Sequence, residues 1–119
     1  MATPNIVNVA TINAKNATGA VTTSRATAVD VSADKVAKIN TILICNIDGS
    51  NAADITIEVS VDNGSNYVKI ANTISVPADA TLSFLENPIY LDETDLLAFT
   101  ASAANDLTYF VSYEELDDA

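Results

Sequence analysis

Sixteen carboxylates and not one histidine set the chemistry open to this chain of 119 residues. The acids gather where turns are expected: Asp48, Asp54, Asp62, Asp79, Asp92, Asp95 and Asp106. A paired-carboxylate hydrolase needs two such groups about 5–10 Å apart across a cleft, one of them with a raised pKa. Turn aspartates have a simpler use, which is to bond their own backbone two residues on. No Trp is present to line a sugar groove, so no catalytic residue is assigned. The missing His removes imidazole relays, proton shuttles and imidazole-ligated metals. Cys45, the single cysteine, can make neither an intrachain disulfide nor a thiolate zinc site, and reads as a small buried hydrophobe.

Hard-oxygen chemistry is the metal option that is left. Asp48, Ser50, Asn51 and Asp54, or Asp62, Asn63 and Ser65, place oxygens at short spacing as calcium prefers. Neither run has the Asp-x-Asp-x-Asp-Gly order, and hydrogen-bonded turns are the stronger reading. No cofactor is therefore expected, with calcium at Asp48/Asp54 or Asp62 as the weaker alternative. The bases are distributed less evenly. Lys15, Arg25, Lys35 and Lys38 give residues 1–40 a net charge of +2, while Lys69 stands against 14 acids in residues 41–119. These four are the candidate partner-docking residues, an electrostatic handle for an acidic surface. The whole chain, at −11 and with a pI near 4.1, repels phosphate, so nucleic acid is excluded as a partner. Its longest apolar runs are four residues, such as Ile42–Cys45, so no membrane span is expected. Residues 1–5 lack the basic and apolar regions of an export signal, and one thiol fits synthesis in a reducing cytosol.

The elements that carry these residues are strands. Val, Ile and Thr number 11, 11 and 13, and such side chains suit a pleated surface and lose rotamer freedom in helices. Extended runs are expected at 6–13, 20–29, 36–47, 54–61, 66–76, 81–85, 89–91, 96–101 and 107–113. The run at 36–47 has large residues on both faces and reads as a central strand covered on both sides. Residues 54–61 alternate strictly, with Ile55, Ile57, Val59 and Val61 inward and Glu58 outward. Asn63-Gly64 then predicts a two-residue type I′ hairpin. In the partner strand Val68, Ile70, Ile74 and Val76 share the inner face, and Asn72 predicts a bulge near Ala71–Asn72. The last two runs read as a pair. This makes an all-β chain, a single antiparallel β-sandwich of about eight strands, jelly-roll-like or immunoglobulin-like. Residues 1–19 read as an N-terminal arm or edge segment, 20–113 as the sandwich, and 114–119 as an acidic C-terminal tail.

Specific strings then narrow the class. Val76-Pro77-Ala78-Asp79-Ala80-Thr81-Leu82, Pro88-Ile89-Tyr90-Leu91, Asp95-Leu96-Leu97, Ala101-Ser102-Ala103-Ala104-Asn105 and Val111-Ser112-Tyr113-Glu114-Glu115 resemble small virion proteins of tailed bacteriophages. Lys38–Asp48 and Asn51–Ile57 are similar to the same group, so the resemblance spans Val36 to Glu115. It implies a non-enzymatic β-sandwich of the virion, made in the host cytoplasm. A capsid decoration or cement protein is the first reading, bound to the major capsid protein or other virion proteins and to copies of itself as a homo-oligomer. A neck or tail adaptor, and a carbohydrate-binding module on a fibre, stand as alternatives. The resemblance brings no catalytic residues.

Overall fold

The computed structural model describes residues 9–118. Nine strands form among them: β1 (Val9–Ala20), β2 (Ala26–Asp30), β3 (Lys35–Asn46), β4 (Ala53–Ser60), β5 (Val68–Val76), β6 (Thr81–Ser83), β7 (Ile89–Leu91), β8 (Leu96–Ala101) and β9 (Leu107–Asp118). No helix among the described residues is long and apolar enough to cross a membrane. Two antiparallel sheets face each other. One runs β1-β9-β3-β6, with β7 also on β3, and the other runs β2-β8-β4-β5. The first strand thus lies beside the last, and most links cross between sheets. Of the two sandwich types expected, this interleaving is jelly-roll connectivity.

Strand β3 is central, paired to β9 on one side and to β6 and β7 on the other. It is covered on one face only. A register shift between Ile39 and Thr41 sets Asn40 outside the ladder. Ile39 and Ile42 can then both point inward, which strict alternation forbids. Ala37, Ile39, Ile42 and Ile44 enter the core, while Leu43 and Cys45 are half-buried on the opposite face and Ile47 is exposed. Cys45 is accordingly not the fully buried thiol expected. The core continues through Ile55, Ile57, Val76, Leu97, Phe99, Leu107 and Val111. Phe99 and Tyr109 meet edge to face across it, with centroids 4.9 Å apart. That contact corrects the pairing expected of the last two runs: β8 and β9 belong to opposite sheets, and residues 102–106 cross between them.

Both chain ends described are strand: β1 lies at a sheet edge, and residues 114–118 continue β9. Strand β1 matches β9 residue for residue from Thr11↔Asp117 to Ala20↔Thr108, so β9 continues through Glu114, Glu115 and Asp117. A third strand, β3, lies on the other flank of those acids, with Lys35 opposite Asp117. Cross-strand bases hold this acidic segment in the ladder, which an isolated charge run would leave in solvent. Only Ala17 of β1 packs on the core. Gly19 lies close by, where a Cβ would sit 3.1 Å from the Tyr109 ring and press it aside. Residues 6–8 of the first expected strand, with the rest of 1–8, lie outside the described residues, as does Ala119.

The β4–β5 hairpin departs from expectation in three places. Asn63 and Gly64 have φ of 57° and 88°, and Ser65 N–H bonds Asp62 C=O, so the predicted turn is present. It caps a loop spanning residues 61–67, since pairing closes at Val59↔Val68. The bulge falls at Asn72–Thr73, where Thr73 has φ 47° and its N–H bonds Thr56 Oγ1, and a second leaves Ile70 unmatched. Of the face assigned inward, only Val76 is buried; Val68, Ile70 and Ile74 are exposed, as is Val61 beyond the strand end. Strand β5 is an edge, and an edge leaves one flank of each inward residue in water.

Candidate functional site

The structure divides the four predicted docking residues between two places. Lys15 of β1 and Lys35 of β3 flank β9, with Nζ atoms 3.3 and 3.7 Å from the same oxygen, Glu115 Oε1. Lys35 also reaches Asp117 Oδ2 at 3.2 Å, and that bond pushes its pKa up. Lys38 stands opposite Glu114 in the ladder. Arg25 lies on the other sheet, just ahead of β2. Its Nε and Nη2 donate to the two Glu58 oxygens at 3.0 Å each, and its guanidinium stacks 3.9 Å above the Tyr67 ring. Lys69 adds a second cation 3.8 Å from Glu58. Three of the four, Lys15, Arg25 and Lys35, thus sit in ion pairs with the chain's own acids.

Glu58 was assigned to solvent, and its side chain is only 4% exposed. Arg25, Tyr67 and Lys69 form a lid over it on the outer face of the short sheet. The fork-shaped pairing with Arg25 holds its carboxyl below the usual range, against the burial that would raise it. One part of this was legible. Glu58 and Lys69 face each other across the expected hairpin. Arg25, 33 positions away, carries no sequence signal for the contact.

Turn bonding engages the residues considered for calcium. Asp48 accepts Ser50 N–H at 2.9 Å and Asn51 Nδ2–H at 3.4 Å, which lowers its pKa. Asp62 accepts Asn66 Nδ2–H and N–H at 2.9 and 2.8 Å, plus Ser60 Oγ–H, and is lowered likewise. Asp54 is on β4, where its N–H bonds Ser102 Oγ. Among the described residues no three acids or Cys converge on a common point. Besides Glu58, the fold buries three polar side chains that the alternation and turn readings leave to solvent: Ser60, Asn46 and Asp95. Asn46 donates to Asn51 and Val76 carbonyls and accepts Asp48 N–H, which ties β3 to the end of the other sheet. Asp95 accepts Asp92 N–H at 2.8 Å at the β2–β8 corner, and burial pushes its pKa up.

The surface carries exposed apolar side chains. Phe110 of β9 lies between Thr18 and Leu43 on the outer face of the five-stranded sheet, and Tyr90 lies beside Lys38 on that face. Phe110, Tyr90 and Ile12 are all exposed. Of the four tyrosines, Tyr109 and Tyr113 pack on the core and Tyr67 takes Arg25, leaving Tyr90 as the free one.

No protein-family model matches the chain, and no curated protein is similar to it. Among solved structures, one described as "Bacillus endospore appendages form a novel family of disulfide-linked pili" is similar over 92% of this chain and 88% of that one, with a TM-score of 0.56 and 14% identity. A pentameric capsid protein isolated from metagenomic phage sequences matches in two structures at TM-score 0.40 and 17% identity. These cover 86% of this chain and 60% and 64% of the other. The appendage likeness agrees with the all-β sandwich, at an identity that speaks for fold alone.

Proposed function

We propose that the chain is a non-enzymatic structural subunit of a phage virion, seated on the capsid shell as a decoration protein. The observation that carries this reading is the exposed apolar set Ile12, Tyr90 and Phe110 on the outer face of the long sheet. Of its acids, Glu58, Glu115 and Asp117 are held in ion pairs and Asp48, Asp62 and Asp95 in turns, and among the described residues no three acids or cysteines converge. A flat sheet face with aromatic anchors suits a protein partner better than a small substrate. The resemblance of residues 36–115 to phage virion proteins supplies the assembly, and the solved structure of similar fold is of endospore appendages that form disulfide-linked pili. Many weak contacts repeated over a shell would add avidity that one contact lacks.

The test is the number of copies per purified particle, from quantitative mass spectrometry against an isotope-labelled standard. Copies in the hundreds are expected. A dozen would move the protein to the neck or tail, and absence from particles would end the virion reading.

A further inference from the structure

Four edges close the two sheets: β1 and the β6/β7 pair in the long one, β2 and β5 in the short one. Open edges invite pairing, and folds blunt them by shortness, bulges or charge. Three are blunted here. Strands β6 and β7 have three residues each, β2 has five with a shift between Thr27 and Val29, and β5 carries two bulges. Strand β1 has 12 residues, an unbroken register from Thr11 to Ala20, no Pro and one charge, Lys15.

Its free backbone groups can be assigned. Val21 N–H donates to Leu107 C=O at 2.8 Å, continuing the register in which Ala20 faces Thr108. Backbone groups alternate sides along an antiparallel strand, so odd-numbered residues bond β9. Ile12, Ala14, Asn16, Thr18 and Ala20 therefore aim N–H and C=O outward, with no strand beside them among the described residues. All five side chains are exposed and uncharged.

We propose that β1 pairs antiparallel with β1 of a second copy, joining two five-stranded sheets into one across a two-fold axis. Charge selects the second copy as occupant. Each chain carries −11, yet β1 itself holds no acid, and two acids of the adjoining β9, Glu115 and Asp117, are paired with Lys15 and Lys35, so two copies meet along this edge with little repulsion. The strand is also its own complement. A two-fold at Asn16 sets Ile12 opposite the partner's Ala20 and Ala14 opposite the partner's Thr18, with outward groups matched throughout. Such an isologous contact closes on itself and yields a dimer. Pairing with β5 of another copy would be cut short by the bulges at Ile70 and Thr73. The proposal rests on the chain being an assembly subunit, but its test needs only the purified protein, so either can fail alone.

Sedimentation equilibrium at about 100 μM, near the range of weak self-association, is expected to give twice the 12.4 kDa chain mass. Amide exchange should be slow at Ile12, Ala14, Asn16 and Thr18. Ala14→Pro removes one outward N–H that β9 does not use, and Asn16→Glu sets two acids against each other at the axis. Both should weaken dimerisation at least tenfold with little change in melting; if Ala14→Pro unfolds, Asn16→Glu decides. A monomeric wild type, or a dimer that survives Asn16→Glu, overturns the proposal.

Discussion

Glu58 occupies a strand position that alternation gives to water, and long-range contacts bury it. Period-two reasoning assigns a face; it cannot see that Arg25, from a link 33 residues earlier, will close over that face with Tyr67 and Lys69. Glu58→Ala is therefore expected to cost about 1–3 kcal/mol in a denaturant melt at pH 7, the range for losing charged hydrogen bonds. An exposed position would cost under about 0.5. Its pH dependence has a definite sign. The folded pKa lies below the unfolded value of about 4.3, so the stabilisation is full above that value and fades as pH falls through the folded pKa. The stability gap between wild type and Glu58→Gln should close on acidification below about pH 4. Asp95 has the opposite sign. Burial raises its folded pKa, so ionised Asp95 destabilises the fold once pH exceeds the unfolded value near 3.9. Asp95→Asn keeps an oxygen for Asp92 N–H and should melt higher than wild type at pH 7. That advantage should disappear in acid, and an equal melt at pH 7 would mean the charge costs nothing there.

Strand existence was the most legible feature, because β-branched runs and turn residues act locally. Each of the nine extended runs overlaps an observed strand, though β1 runs on to Ala20 and β2 starts only at Ala26, and Asn63-Gly64 was legible down to its positive φ values. Partnership was not. Leu96–Ala101 and Leu107–Tyr113 look like a hairpin because their link is short, but a short link also bridges two stacked sheets. The inward set of β5 failed for a related reason: alternation reports a phase, and burial also requires a neighbour on each side. For the turn itself, a Cβ on Gly64 would meet Leu96 and Tyr67 at ordinary distances of 3.4 and 3.6 Å. Backbone strain is then the penalty that remains, and Gly64→Val should cost about 1–3 kcal/mol. Gly64→Asn should lose much less, since Asn tolerates positive φ. Similar losses for both variants would point to packing in place of strain.

At the scale of the molecule, the four bases that cluster in sequence are divided between the two sheets, and three of them sit in internal ion pairs. The basic segment before residue 40 reads as a handle for a partner; in the fold Lys15 and Lys35 bracket Glu115 on the strand between them. Chain order hid this, because β1, β9 and β3 are distant in sequence and adjacent in the sheet. Removing residues 1–19 would take nearly all of β1, open the side of β9 and delete both Ala17 packing and the Lys15 pair. The truncated chain is expected to melt at least 10 °C lower, a loss of a few kcal/mol for a domain of this size, and to aggregate on the exposed edge. An unchanged melt would show that β1 is dispensable to the sandwich. The remaining imbalance belongs to the surface. Sixteen acids against five bases leave each copy at −11 after the internal pairs are counted. Copies brought together therefore repel across solvent, over about 30 Å at 0.01 M salt and about 8 Å at 0.15 M. If their contacts are backbone pairing and apolar area, screening removes the repulsion and leaves the attraction intact. Self-association measured by sedimentation should consequently tighten as salt rises over that range. Weakening with salt would instead show that bases of one copy, such as Lys15 or Arg25, exchange their internal acids for those of the next.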